Sequence, residues 1–516
     1  VAAPDSLRRT RVAIRKAAGP LIDLVRPGRT PTFPDMPCAE RAGHTPEDCR
    51  SLLCNGDHCR RRVHAGHRTA RTAMGDTMDL ASWQDRFDGL ARRHGVPGAS
   101  LAVLADKQVQ ALTTGVLHSG TGVEATTDSL FQIGSITKAY TATVVMGLVE
   151  QGLTTLDTPV ADVLPGFRVA DAEVSERVTL RHLLAHTSGI NGDLFIDTGR
   201  GDDCLERYVD ACADLPQCHP LGAMFSYCTA GYVILGRVIE LLTGTSWDTA
   251  IRERLLDPAK LDRTWTLPED VLRFRAAMGH LTQDGQTQPA PVWSFPRNGG
   301  PDGGICATAT DVVTFAKLHL DSDAPRFTDM RKPQVDVPNP YGTYDRWGLG
   351  WALFDWDRPV FGHDGDTIGQ AAALRVVPDA GVAVALLANI DVFGAFSREV
   401  FSELLPVLCD LRMPEPPAPP PVPAPVELKR YVGVYERVGT RVEVALRDGR
   451  LRTLVTPTGA LAALMPPQES ELVAVADGRF LQKQPESDRW VSTVFLSSPD
   501  GAEYLYRGIR AHPKVR

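Results

Sequence analysis

Apolar residues at Trp83, Phe87 and Leu90 keep helical spacing and predict a helix beginning just after Met78. A second helical stripe runs over residues 135–151 through Ile136, Tyr140, Val144, Leu148 and Val149, and Gly152 follows where a helix-ending glycine belongs. A third spans 233–242, with Gly244 after it. Strand patterns interleave with these helices. The runs 371–377 and 382–387 are continuously apolar and are joined by Pro378-Asp379-Ala380-Gly381, which predicts a hairpin in a sheet covered on both faces. Towards the C-terminus, short alternating runs at 441–446 and 490–496, with turn signals Asp448-Gly449 and Asp500-Gly501, predict a small antiparallel β-domain. The stretch 413–426, MPEPPAPPPVPAPV, reads as an extended polyproline II spacer. The expected organisation is a mixed α/β domain over 79–412, a proline-rich linker over 413–427 and a β-domain over 428–516.

Residues 1–77 are a different kind of chain. They hold 13 Arg and one Lys against 8 Asp plus Glu, a charge of +6 that leaves −14 for the remainder, and proline interrupts any apolar period. We expect a poorly ordered leader with no core of its own and no export signal. Four of the ten cysteines, Cys38, Cys49, Cys54 and Cys59, lie there beside His44, His58, His64 and His67, but without the close pairs typical of zinc sites, so no metal is expected. The other six cysteines are expected to be reduced thiols. The whole chain carries a formal charge of −8, which argues against a protein built to hold nucleic acid, and no stretch is long and apolar enough for a membrane span. A cytoplasmic location is the default expectation.

The candidate chemistry begins at Phe131-Gln132-Ile133-Gly134-Ser135-Ile136-Thr137-Lys138. Three residues apart on one helix, Ser135 and Lys138 share a face, and a lysine in a dry setting can take a hydroxyl proton. A bare S-x-x-K pair recurs by chance, so its context matters. Phe225-Ser226-Tyr227-Cys228-Thr229 precedes the third helix, and Phe361-Gly362-His363-Asp364-Gly365 precedes the hairpin. In this order and at these intervals, Ser135-x-x-Lys138, Tyr227-Cys228-Thr229 and His363-Asp364-Gly365 resemble the serine β-lactamase and penicillin-binding-protein superfamily, in its class C β-lactamase-like branch. Leu183-Leu184-Ala185-His186-Thr187-Ser188-Gly189-Ile190 and Gly300-Pro301-Asp302-Gly303-Gly304-Ile305 look like further signatures of that family. The segment after the linker, with Tyr431-Val432-Gly433-Val434-Tyr435-Glu436, looks like the lipocalin-like β-barrel of some members.

The resemblance implies a β-lactamase-like fold, an antiparallel sheet flanked by helices with a helical subdomain, and no cofactor. It implies that Ser135 is the nucleophile, that Lys138 and Tyr227 form its base, and that His363 stands in the third motif where lysine is usual. The oxyanion would be held by the backbone N–H groups of Ser135 and Asp366, beside Gly365. Two departures bear on substrate. Thr229 replaces the usual Asn of the second motif, and His363 removes a permanent cation, so poor β-lactamase activity is expected. The leading expectation is a hydrolase of esters, small amides or peptides working through an acyl-serine. The alternative is an acyltransferase, a transacylase or peptide-offloading cyclase, that passes the acyl group to an amine; a sensor that acylates without turnover ranks last. Partners would be a small-molecule or peptide acyl substrate and, for transfer, an amine acceptor. His182 and His186 are read as structural. Trp293, Trp347, Trp351 and Trp356 are read as core residues, with an acyl-pocket lining as the alternative.

Overall fold

The computed structural model describes residues 79–338, 344–459, 462, 466–484, 489–499 and 501–516. The expectations for the leader and its cysteines, and Asp500 of the second turn signal, lie outside these residues.

After a short 3₁₀ turn, α1 (Gln84–Arg93) leads into a hairpin, β1 (Gly98–Ala105) and β2 (Gln108–His118). Two long helices follow, α2 (Thr137–Glu150) and α3 (Thr229–Thr243). The chain then returns to the sheet in β3 (Pro359–Asp366), β4 (Ala371–Val377) and β5 (Val382–Ala388), and closes this part with α4 (Gly394–Cys409). A nine-stranded sheet results, in which β2, β1, β5, β4 and β3 are consecutive neighbours and short strands extend both edges. The strands from β2 through β3 pair antiparallel throughout.

The continuous apolar runs have a direct cause in this packing. Along β5, Ala383, Ala385 and Leu387 face one hydrophobic core, shared with α2 and α3, while Val382, Val384 and Leu386 face a second, shared with α1 and α4. Period-two alternation disappears because both faces are covered. Every residue of β4 and β5 is buried. Six cysteines among the described residues, Cys204, Cys212, Cys218, Cys228, Cys306 and Cys409, carry no disulfide.

Residues 413–427 form neither helix nor strand. Their end is docked, since the Ala424 N–H donates to the carbonyl of Ala474 at 3.0 Å and Ala424 and Val426 pack against the following core. There, eight strands run as an up-and-down meander: β6 (Gly433–Arg437), β7 (Thr440–Arg447), β8 (Arg450–Pro457), β9 (Gln468–Ala476), β10 (Arg479–Lys483), β11 (Trp490–Ser497), β12 (Glu503–Arg507) and β13 (Arg510–Pro513). A bridge between Tyr435 and Lys514 brings the first strand beside the end of the last and nearly closes the barrel. Tyr431, Tyr435, Val442, Leu451, Phe480 and Leu505 fill its interior. The barrel and the mixed sheet belong to one compact unit. No helix among the described residues is long and apolar enough to cross a membrane.

Candidate active site

Ser135 lies in a 3₁₀ turn, Gly134–Ile136, just ahead of α2. Two glycines press this turn against the end of β3. Gly134 has φ +51°, and a Cβ there would come within 2.6 Å of the Asp366 backbone nitrogen. On Gly365 a Cβ would reach 2.0 Å from the Ile133 carbonyl oxygen and 2.8 Å from the Ser135 nitrogen. Only residues without side chains permit this approach. It sets the backbone nitrogens of Ser135 and Asp366 on facing segments.

Lys138, one residue into α2, is 1% exposed. Its Nζ lies 3.2 Å from Ser135 Oγ and donates to the Asp302 carbonyl oxygen at 2.7 Å. The Asp302 carboxylate stands 3.8 Å away, its carboxyl pushed up to about 6 by burial against the pull of the Lys138 charge. The lysine also lies 5.0 Å from the ring centre of Tyr227 and 5.6 Å from that of Tyr232. Burial of a cation is offset here by carbonyl, carboxylate and π-faces together.

Tyr227 precedes α3 and is almost wholly buried, yet its hydroxyl has no hydrogen-bond partner. His363, inward on β3, is 1% exposed, and burial first, then the Lys138 charge, pushes its imidazole down to about 4. It is neutral at pH 7, and its Nε2 is likewise without a partner. Trp347 packs edge-on against both His363, at 5.2 Å, and Tyr227, at 5.9 Å. The structure thus gathers Ser135, Lys138, Tyr227, His363, Gly365 and Asp366 around one buried cluster. Thr229, the first residue of α3, is turned to Asp193, towards which its Oγ1 donates at 3.5 Å.

Several neighbours had no role assigned from sequence. Asp193 takes Arg437 at 2.9 Å and Arg510 at 2.8 Å, both from the barrel. Burial works to raise its carboxyl, and the two guanidinium groups outweigh it and hold it below the usual range. The turn between β12 and β13 reaches the second motif itself: the Tyr227 N–H donates to the Ile509 carbonyl at 3.0 Å, and the Ala511 N–H to Ser226 Oγ at 3.1 Å. Arg510 sits over the Tyr227 ring at 5.2 Å. Asp302 had a sequence signal, its glycine-rich phrase; the barrel arginines had none.

The tryptophans divide. Trp347 and Trp351 are fully buried, Trp356 packs on Phe354, and Trp293 lines a cleft with Phe295, Leu267 and Arg297 beside Gly303. His182 caps a short helix with Thr179. Among the described residues no group of histidine, cysteine, aspartate and glutamate could hold a metal ion.

Known proteins resemble this chain in sequence and fold. A family model described as Beta-lactamase matches residues 83–402. Penicillin-binding protein 4 of Amycolatopsis lactamdurans is 52% identical over 376 residues, covering 70% of this chain and 99% of that protein. The crystal structure of SurE superposes with a TM-score of 0.70 at 28% identity, covering 84% of this chain and 99% of SurE, and a second SurE structure, with D-Leu, gives 0.68 at 29% over the same shares. A D-stereospecific amidohydrolase from Streptomyces sp. superposes with a TM-score of 0.52 at 25% identity, covering 63% of this chain and 98% of its own.

Proposed function

Since the chain belongs to the beta-lactamase family of serine hydrolases, we propose that it moves an acyl group from an ester or small amide onto Ser135 and then releases it to water. The observation that carries this reading is the 3.2 Å contact of Ser135 Oγ with a buried lysine, which lies 5.0 Å from the ring of a tyrosine whose hydroxyl has no hydrogen-bond partner. Lys138 in its amine form, with Tyr227, takes the Ser135 proton as Oγ attacks the carbonyl carbon. Negative charge on the carbonyl oxygen is met by the N–H groups of Ser135 and Asp366, each such donor being worth about 3 kcal/mol. Collapse of the tetrahedral species expels the leaving group, which takes the proton from Tyr227 or Lys138. Water then repeats the sequence on the acyl-serine ester.

The neutral His363 offers hydrogen bonding and no fixed charge to a substrate carboxylate at pH 7. The 52% relative is named for penicillin binding, so a penicillin is expected to acylate Ser135 here also, with slow turnover. A second reading, transfer to an amine, is compatible with the likeness to SurE, which covers 84% of this chain and includes a structure with D-Leu. A D-amino acid suits either reading, as the product of hydrolysis or as the amine acceptor.

Intact-mass spectrometry after mixing with a p-nitrophenyl ester, a D-aminoacyl amide or a penicillin, each with and without D-Leu, tests both. Ser135→Ala is expected to lose the adduct and to slow turnover at least a thousandfold, on the order seen when such a nucleophile is removed. Free acid identifies hydrolysis, and an acyl-D-Leu product identifies transfer. Turnover that survives Ser135→Ala refutes both readings.

A further inference from the structure

The Leu183–Ile190 phrase places one residue, His186, in contact with three consecutive residues, Ser226, Tyr227 and Cys228, at the start of the second motif. Its backbone carbonyl accepts the Ser226 N–H at 2.9 Å. Its ring stacks on the Tyr227 ring with centres 4.2 Å apart and planes 29° from parallel. Its Nδ1 accepts the Cys228 N–H at 3.1 Å. That last bond fixes the tautomer, since a nitrogen that accepts carries no proton, so Nε2 holds the hydrogen. The residue is fully buried and its backbone sits at φ +56°, the left-handed region that side chains with a branched or bulky Cβ avoid. Phe225 and Trp347 meet the same imidazole edge-on, at 5.6 Å and 5.0 Å. A histidine needed only to fill a core has no reason to occupy a strained backbone position and to hold one loop at three successive points.

Within the mixed domain the Tyr227 ring also meets Trp347 at 5.9 Å and His363 at 6.4 Å, both edge-on, and only His186 lies against its face as a stacked ring. The Tyr227 hydroxyl is unpartnered, and its backbone N–H goes to the barrel. The opposing contacts on its ring are cations, Lys138 at 5.0 Å and Arg510 at 5.2 Å, which attract the π-face without fixing the direction of the C–O bond. Stacking on a rigid, neutral imidazole does fix the ring plane. Burial, with the charges of Lys138 and Arg510 adding to it, holds His186 well below the usual imidazole range, so the stacked ring stays uncharged.

We propose that His186 is a positioning residue for acyl transfer, which holds the Tyr227 ring and its flanking backbone so that the phenol oxygen faces Ser135 and Lys138. This rests on Tyr227 acting with Lys138 as the base. His186→Asn separates the two grips in the full-length chain: Asn Oδ1 occupies the place of Nδ1 and accepts the same N–H, and Asn tolerates the left-handed backbone, while the stacked ring is lost. His186→Ala removes both. The readout is the rate of Ser135 acylation by a p-nitrophenyl ester, followed by the burst and by intact mass, alongside KM and melting temperature.

His186→Asn is expected to slow acylation tenfold or more with KM changed less than twofold and melting preserved, and His186→Ala to slow it further. Combined with Tyr227→Phe, His186→Asn is expected to add less than a twofold loss, because residues acting through one hydroxyl do not lose rate independently. If the two losses multiply, or if His186→Asn acylates at the wild-type rate while Tyr227→Phe is slow, His186 does not act through Tyr227 and the inference fails alone. If Tyr227→Phe itself acylates at the wild-type rate, the assignment of the base fails and takes this inference with it.

Discussion

Two oxygens of one residue surround the Lys138 ammonium: the Asp302 carbonyl at 2.7 Å and its carboxylate at 3.8 Å. The carbonyl is permanent, whereas the carboxyl, pushed up to about 6 by burial, changes charge close to neutrality. Above that pH it sets a negative charge 3.8 Å from the Lys138 Nζ. Below it the charge is gone. The kcat/KM profile of the wild type is therefore expected to carry an inflection near pH 6 that Asp302→Asn lacks, while the carbonyl contact keeps the lysine in place in both. An unchanged profile in the variant would mean that the carboxyl does not communicate with the site. His363 contributes differently, since burial and the Lys138 charge keep it neutral down to about pH 4, so no second inflection near 6.5 is expected from it.

At the scale of elements, the barrel packs against the candidate active site. The β12–β13 turn supplies the carbonyl that holds the Tyr227 N–H, and Asp193 gathers Arg437 and Arg510 beside Thr229. Arg437 has a side chain only 2% exposed, so Asp193→Ala leaves a buried guanidinium unpaired. Removing one partner of a buried pair typically costs about 3–5 kcal/mol. We expect Asp193→Ala to lower the unfolding free energy by about 3 kcal/mol in a denaturant titration and to reduce kcat, because the turn that holds the second motif loosens with it. Loss of stability at full kcat would show that the turn does not govern the motif. What the sequence made legible follows the range of each contact. Ser135 and Lys138 sit three positions apart, and the apolar runs of β4 and β5 state their two-sided burial directly. Tyr227 and His363 became legible through the order and spacing of motifs. Nothing local could reveal the contact of Asp193 with Arg510, 317 positions away, because an arginine near the end of a barrel strand reads as a solvated charge. For the same reason His186, a histidine in a turn, reads as structural until the face of Tyr227 is seen against it.

Over the whole molecule, the apolar cores that cover both sides of the sheet and fill the barrel also trap uncharged histidines. Burial, with nearby arginines adding to it, pushes His319 and His512 down to about 3, and His363 is held at about 4. In the unfolded chain these imidazoles titrate near 6.5. Between that value and the folded ones the unfolded state binds more protons, so stability rises with pH across this window and is lost as pH falls through it. Asp302 and Asp366, both pushed up to about 6 by burial, act in the opposite direction below that value, as do Glu240 and Asp311, which burial also raises, because the folded state keeps their protons longer. His186, also fully buried and held well below the usual range, joins the other three, and these deeply lowered imidazoles outweigh the smaller upward shifts of the carboxyls. The melting temperature is therefore expected to fall from pH 7.5 to pH 5, with the decline beginning near 6.5. His319→Gln, which removes one of these imidazoles, is expected to flatten that decline even if it lowers stability at pH 7.5. A melting temperature that holds or rises on acidification would show that paired carboxylates, not buried histidines, govern the acid limb. The wild type and His319→Gln compared across pH separate the proton balance of the core from its packing.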